Sequence, residues 1–335
     1  MKNIDVNMGG VDFPIDLVYM WVDDGDEEWR SKRDLYRPTE QRSTTADATS
    51  AARWRNNDEL RYSLRSVEMF APWVNHIYIV TDNQRPAWLV ADHPKVTIVD
   101  HRDIIPAEAL PTFNSTAIEA CLHRIEGLSE HFIFGNDDML LSAPVSPGDF
   151  FHADGRPIVR LMHFSRRKAH RKGNYHRMLY HMQNVVRDHC GRLIPLAPHH
   201  NLDGYLRSAY EECVTTLRPE EWRRTTGHRF RDDADMQRSA VSYYMIAQCG
   251  AEARRVGRFN RIEGVWNRLR AVFTNRYASD SRVVSLNLPD YEAVMRKYNP
   301  LMICVNDNQN ATEADCLRMK EFLAARYPHK SSFEK

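Results

Sequence analysis

Short apolar runs, each ended by acidic or turn residues, set the rhythm of the first part of the chain. Ile15 to Val22 (IDLVYMWV) is mostly apolar and partly β-branched, and it breaks at Asp23-Asp24-Gly25-Asp26. That pattern reads as a buried strand running into an acidic loop. Asp58 to Phe70 places apolar residues at Leu60, Leu64, Val67 and Met69/Phe70, the spacing of an amphipathic helix. His76 to Thr81 and Lys95 to Asp100 read as a second and a third strand. Asn114 to Glu126 opens on a cap-like Asn/Ser, carries Glu119 three residues after Thr116, and predicts a helix ending at Gly127. His131 to Gly135 (HFIFG) reads as a fourth strand and runs directly into Asn136-Asp137-Asp138. Alternating strands and helices predict a parallel α/β sheet. Ligands of such sheets sit beyond the carboxyl ends of the strands, where both acidic clusters would lie.

The second half is less regular. Leu202 to Leu217 and Asp233 to Gln248 read as helices, Leu301 to Val305 as a short strand ended by Asn306-Asp307, and Thr312 to Tyr327 as a terminal helix. Arg37 to Ser50 is polar and reads as a loop or lid, and Ser285 to Pro289 as a turn. Arg156 to Arg177 and Arg254 to Arg276 are locally basic. The expected division is an α/β core over 11–150, a helical or irregular part over 151–310 that completes the site, and a terminal helix and tail over 311–335.

Composition narrows the class. The chain has 335 residues, long enough for two domains or one elaborated domain, with 42% apolar and 27% charged residues, as in a globular protein. A formal net charge of +1 gives no general attraction to nucleic acid. The longest apolar runs fall far short of the roughly 20 residues that span a bilayer. Met1 to Gly10 has no apolar core, so no signal peptide is read and a cytoplasmic site of action is expected. The six cysteines are scattered without a C-x-x-C pair, which predicts reduced thiols and neither a zinc framework nor disulfides.

Each candidate site residue carries two readings. Asn136-Asp137-Asp138 after a strand is either turn chemistry or a hard-cation site. Asp23-Asp24-Gly25-Asp26 is either a capped loop or a contact to a metal or to sugar hydroxyls. Arg53, Arg55, Arg61 and Arg65 lie before and along a helix with Asp58, Glu59 and Glu68, either as a solvated face with i,i+3 ion pairs or as forks for phosphate. His199-His200 follow Pro195-Leu-Ala-Pro198, and a histidine there is either structural or a proton acceptor.

Taken together, these segments resemble the Stealth family of sugar-1-phosphate transferases, which contains bacterial capsule polymerases and the catalytic subunit of the animal N-acetylglucosamine-1-phosphotransferase. The resemblance is carried by Ile15 to Asp23 with Gly25 and Asp26, and by Arg53-Trp54 and Asp58 to Ser66. It continues through Ile77 to Thr81, Pro111 to Asn114, Ala117 to Glu119, His123 to Ser129 and Asn136-Asp137-Asp138. Further along, it rests on His200, Pro219 to Trp222, His228, Phe230-Arg231, Asp235-Met236 and Cys304 to Asp307. Where many relatives have H-x-P, this chain has His199-His200-Asn201-Leu202, so the functional histidine is one of two neighbours; His200 is preferred.

The resemblance implies a mostly parallel, Rossmann-like (GT-A-like) α/β sheet flanked by helices, with a more helical second half. It implies transfer of a hexose 1-phosphate or N-acetylhexosamine 1-phosphate from a UDP-sugar to a glycan hydroxyl, with release of UMP. Asp137, Asp138 and Asp307 would hold Mg²⁺ or Mn²⁺. His200 would be the general base, with Arg231 and Asp23 beside it in catalysis. Arg53, Glu59, Arg65, Ser66, Asn114, Asn136, Asp235 and Asn306 would bind the donor or fix its arginines. The implied partners are a UDP-sugar and a glycan acceptor, an anionic polymer among the options, without nucleic acid. A peripheral position at the inner membrane face is compatible with the basic segments. A conventional UDP-sugar glycosyltransferase would share the sheet, the metal motif and the donor, and differs in releasing UDP.

Overall fold

A computed structural model describes residues 10–37, 54–171, 173–256 and 279–335. Most of the polar 37–50 stretch and most of the basic Arg254 to Arg276 stretch lie outside the described residues.

The chain opens with β1 (Ile15–Met20), α1 (Glu27–Tyr36), α2 (Glu59–Phe70), β2 (Ile77–Thr81) and β3 (Val96–Asp100). It continues through α3 (His101–Ile104), α4 (Ser115–Glu119), β4 (His131–Asn136), β5 (Met139–Leu141) and β6 (Ile158–His163). Then follow α5 (Asn174–Cys190), β7 (Leu196–Pro198), β8 (Asp203–Leu206), α6 (Arg207–Thr216), α7 (Pro219–Gly227) and α8 (Ser239–Gln248). The last elements are β9 (Glu252–Arg255), β10 (Ser279–Ser285), α9 (Tyr291–Tyr298), β11 (Pro300–Asn306) and α10 (Glu313–Arg326).

The main sheet has the order β3-β2-β1-β4-β8. Its first four strands run parallel, and β8 closes the edge antiparallel to β4. β1 and β2 are buried almost throughout, as the near-continuous apolar runs require of parallel strands covered on both faces. On one face, Val18, Phe132, Phe134 and Tyr205 pack with Met182 and Val186 of α5, Tyr210 and Cys213 of α6, and Tyr243 of α8. On the other, Leu17, Tyr19 and Ile79 pack with Leu60, Leu64 and Val67 of α2. The fold is thus the expected mixed α/β class.

Two smaller sheets complete it, β10-β11-β5 and β7-β6-β9. The first of these builds half of the site. β5 pairs antiparallel with β11, setting Met139 opposite Cys304, and α2 braces β5 from the far side. The Ser63 hydroxyl donates to the Met139 carbonyl at 2.6 Å, and the Ser66 hydroxyl accepts from the Leu141 amide at 3.0 Å. Strands from both halves of the sequence therefore share sheets, β8 with the first half and β5 with the last.

Three sequence expectations need correction. The helix expected from Asn114 to Glu126 stops at Glu119, and a 3₁₀ turn, Leu122–Arg124, follows. The Tyr210 hydroxyl takes the Glu119 carbonyl at 2.8 Å, while Leu122, Ile125 and Leu128 turn into the core. Leu202 to Leu217 begins as β8 because Asp203 to Leu206 fill the open edge of β4, and the helix starts only at Arg207. Asp233 to Gln248 becomes helical only at Ser239, because the residues before it wrap around the buried Asp235. All six cysteines are free. No described helix is long and apolar enough to cross a membrane.

The basic stretch from Arg156 is spent largely on the chain itself. Arg160 is fully buried and donates to the Asp149 carbonyl, Arg166 donates to Gln183 and Asn184, and Arg177 pairs with Asp233. α2 is tied to the end of the chain in the same way. The Glu334 carboxylate, with no side-chain exposure, accepts from Arg65 at 2.7 and 2.8 Å and from Arg61 at 2.5 Å. Burial works to raise its pKa, but bonds from Arg65, the Ser331 amide and Arg61 outweigh burial and hold it down to about 2. Glu334→Gln leaves two guanidinium groups under-compensated and is expected to cost about 3 kcal/mol, read as a lower urea midpoint. An unchanged midpoint would show that the tail contributes nothing to α2.

Candidate active site

The acidic end of β4 is held by three elements. β4 ends in Asn136, the turn after it carries Asp137 and Asp138, and the Val305 amide of β11 donates to the Asp138 carbonyl at 2.9 Å. β11 ends in Asn306, so Asp307 arrives beside Asp138 and its charge acts on that group. Glu59, at the start of α2, is 4% exposed and accepts from the Asn57 amide at 2.7 Å and the Asn57 side chain at 2.9 Å.

Among the described residues, these carboxylates have only partial compensation, from Arg55 at Asp307 and from the charge of Arg238 at Asp138. Burial first, and then the charges of Glu59 and Asp138, push Asp137 well above the carboxylate range. Burial pushes Asp138 up to about 6 and Glu59 up to about 7. Asn136 Oδ1, Asp138 Oδ1 and Asp307 Oδ2 are buried without a hydrogen bond; Asp307 Oδ2 has only a 3.4 Å ion pair to Arg55. Buried anions and acceptors with open lone pairs suit a hard divalent cation held by oxygen.

A histidine and two arginines stand beside these carboxylates. His200 lies in the turn before β8, close to Asp138 and Cys304. Burial, with the charges of Arg238, His199 and Arg231, pushes its pKa down to about 3, so it is neutral at pH 7. His199 is engaged elsewhere: it is buried, and its Nδ1 lies 2.6 Å from the Ser281 hydroxyl. Arg231 donates through Nη2 to the Ser115 hydroxyl, and its Nε is buried without a partner. Arg238 lies over the Phe134 ring at 4.6 Å, and its charge acts on Asp138 and His200.

The loop bearing Arg231 is built around one carboxylate. Asp235 is fully buried. It accepts from the Asn114 side chain at 2.8 Å, the Thr116 hydroxyl at 3.0 Å and the Asp232 amide at 2.9 Å. Its other oxygen lies 2.6 Å from His228 Nδ1. Asp235→Asn replaces one acceptor by a donor within this network. It is expected to lower kcat/KM about tenfold through misplacement of Arg231 and to lower stability by about 2 kcal/mol. A variant with native kinetics would remove the loop from the active constellation.

Several expected site residues are placed otherwise. Arg53 lies outside the described residues. Arg65 is committed to Glu334 and to the Tyr327 carbonyl, so no free fork remains there for phosphate. Ser66 is fully buried and braces β5. Asn114 and Asp235 face each other, and Asn114 also caps α4 by accepting from the Thr116 amide. Asp23 accepts from the Gly25 amide, and Gln84 pins its backbone, in a loop where Asp26 caps α1. The register sets Met20 opposite Asn136, so this loop leaves the sheet beside the Asp137 turn. Asn306 is exposed at the end of β11.

Arg238 and Cys304 were not assigned to the site from the sequence, and Arg55 stood there only as one of four arginines with two readings. Cys304 donates to Asp138 Oδ2 at 3.2 Å. The signal for it was the strict pairing of an apolar strand, β11, with the short β5. Arg238 gave no signal, since a lone arginine before a helix has the pattern of a surface residue.

A parallel core, carboxylates gathered at strand ends and guanidinium groups facing them are the parts of a transferase acting on phosphates. The chain belongs to the Stealth family. Residues 13–41 match Stealth protein conserved region 1, and residues 53–159 match conserved region 2. An exopolysaccharide phosphotransferase of Streptomyces coelicolor is 36% identical over 97% of this chain and 53% of its own length. An exopolysaccharide phosphotransferase of Lactiplantibacillus plantarum is 31% identical over 96% of this chain and 97% of its own. A capsular polysaccharide phosphotransferase of Streptococcus pneumoniae is 30% identical over 96% and 99%. The chain thus spans about half of the Streptomyces relative and nearly all of the other two.

Proposed function

We propose that this chain transfers a hexose 1-phosphate or N-acetylhexosamine 1-phosphate from a UDP-sugar to a glycan hydroxyl, releasing UMP and forming a phosphodiester in capsule or exopolysaccharide synthesis. The observation that carries the reading is a group of buried oxygens without hydrogen bonds, on Asn136, Asp138 and Asp307, beside neutral His200 and within the charge of Arg231 and Arg238. Family membership and the names of its relatives support the same class of reaction.

Asp137, Asp138 and Asp307 would hold Mg²⁺ or Mn²⁺, which when bound neutralises diphosphate charge. His200 accepts the proton of the acceptor hydroxyl. The freed oxygen forms a bond to the β-phosphorus as the bond from that phosphorus to the bridging oxygen breaks, and UMP carries the bridging oxygen away. Arg231 and Arg238 hold the charge that spreads over the phosphoryl oxygens.

Purified protein incubated with Mg²⁺, a panel of UDP-sugars and short glycan acceptors tests the reading by the nucleotide released. UMP is the expected product. UDP would make the chain a glycosyltransferase and would require new roles for Arg231 and His200.

A further inference from the structure

We propose that Asp138, His200 and Cys304 form a binding site for a thiophilic divalent cation of the zinc class, overlapping the hard-cation site and excluding it when filled. The carboxylate oxygen, imidazole nitrogen and sulfur lie within 4.8 Å of one another. Two of the three ligands are fixed by backbone pairing: Cys304 stands opposite Met139, and the Val305 amide holds the Asp138 carbonyl. Cys304 points at Asp138 already, through the 3.2 Å thiol hydrogen bond, while Asp138 Oδ1 is buried with no partner.

The donor set decides the ion. One oxygen, one nitrogen and one sulfur make a poor shell for Mg²⁺, which takes oxygens in an octahedron. They match the three protein ligands of an open tetrahedral zinc site, with the fourth position left to water or a substrate oxygen. Binding displaces one proton: the Cys304 S–H bond breaks, a sulfur–metal bond forms, and the proton goes to solvent. The surrounding charge is mixed, with Glu59, Asp137 and Asp307 favouring a cation and Arg231 and Arg238 opposing it. Asp138 belongs to both sites, so the two ions exclude each other. Metal on the His200 lone pair also removes the proton acceptor, so zinc-class ions inhibit where Mg²⁺ supports turnover; this consequence rests on the proposed function, whereas the binding itself does not.

The test uses the full chain, stripped of metal and without sugar donor, titrated with Cd²⁺. One equivalent is expected to produce thiolate-to-metal charge-transfer absorption in the ultraviolet. Cys304→Ser should abolish that band. His200→Gln, which keeps a neutral polar side chain at this position, should weaken Cd²⁺ at least about tenfold and covers the case of a misfolded serine variant. Absence of the band, or a band unchanged in both variants, overturns the site. Turnover is then measured on the same samples with UDP-sugar and Mg²⁺. Full activity with the Cd²⁺ band intact would remove His200 from catalysis and leave the metal site standing.

Discussion

Asp138→Asn is expected to lower turnover about a thousandfold and at the same time to make the metal-free protein more stable. The loss follows from the removal of a charge that holds the cation. The gain follows from linkage. Burial, reinforced by the charge of Asp307 and only partly opposed by the Cys304 thiol, raises the Asp138 carboxyl from 3.8 to about 6. Between these values the folded chain holds a proton that the unfolded chain has lost, so stability falls as pH rises through that window and stays lower above it. Asparagine removes the penalty. The expected gain is about 3 kcal/mol at pH 8 and well under about 1 kcal/mol near pH 4. Denaturant melts at the two pH values check it. Addition of Mg²⁺ should stabilise the wild-type protein at pH 8 and leave the variant unmoved. A variant less stable than wild type at pH 8 without metal would mean that Asp138 is compensated in the folded chain.

His200→Ala is expected to lower kcat by a factor of about a thousand, while His199→Ala keeps most of the turnover and loses stability. The two residues are adjacent, but the fold separates them. His199 is buried against Ser281 under the strand of the second sheet, and its pKa is pushed down to about 4 by burial and by the charges of Arg160 and Arg282. His200 faces Asp138, with Arg231 and Arg238 acting on it. Single-turnover kinetics separate the chemical step from binding. The reverse pattern, with turnover retained at position 200 and lost at 199, would move the base by one residue.

The main sheet was legible because its strands are covered on both faces. Continuous apolar runs such as Leu17 to Tyr19 and Ile77 to Val80 leave few other readings, and they end in the acidic turns that mark the site. Asp137 and Asp138 were legible as the acidic end of a parallel strand for this reason. Arg65 was not, because a fork aimed at phosphate and a fork aimed at Glu334 have the same local sequence. The partner is supplied by the far end of the chain. Asn114 and Asp235 share this difficulty: each has the composition of a ligand contact, and only tertiary packing reveals that they bind each other. α8 shows the converse case. Its helical periodicity is real from Ser239 onward, but the buried Asp235 commands the residues before it and delays the helix.

The pairing of β5 with β11 also gives the site a timetable. Every strand of the main sheet has left the ribosome by Leu206, so Asp137 and Asp138 can stand on a finished sheet while β11 is still unmade. Asp307 and Cys304 arrive only with the last strand, through a contact of long sequence separation, the kind that forms late. A chain that has not yet made β11 therefore lacks Cys304 and Asp307 beside Asp138, however well its first half has folded. Until β11 is made, β5 is an open edge with an acidic tip, kept in register by the two serines of α2.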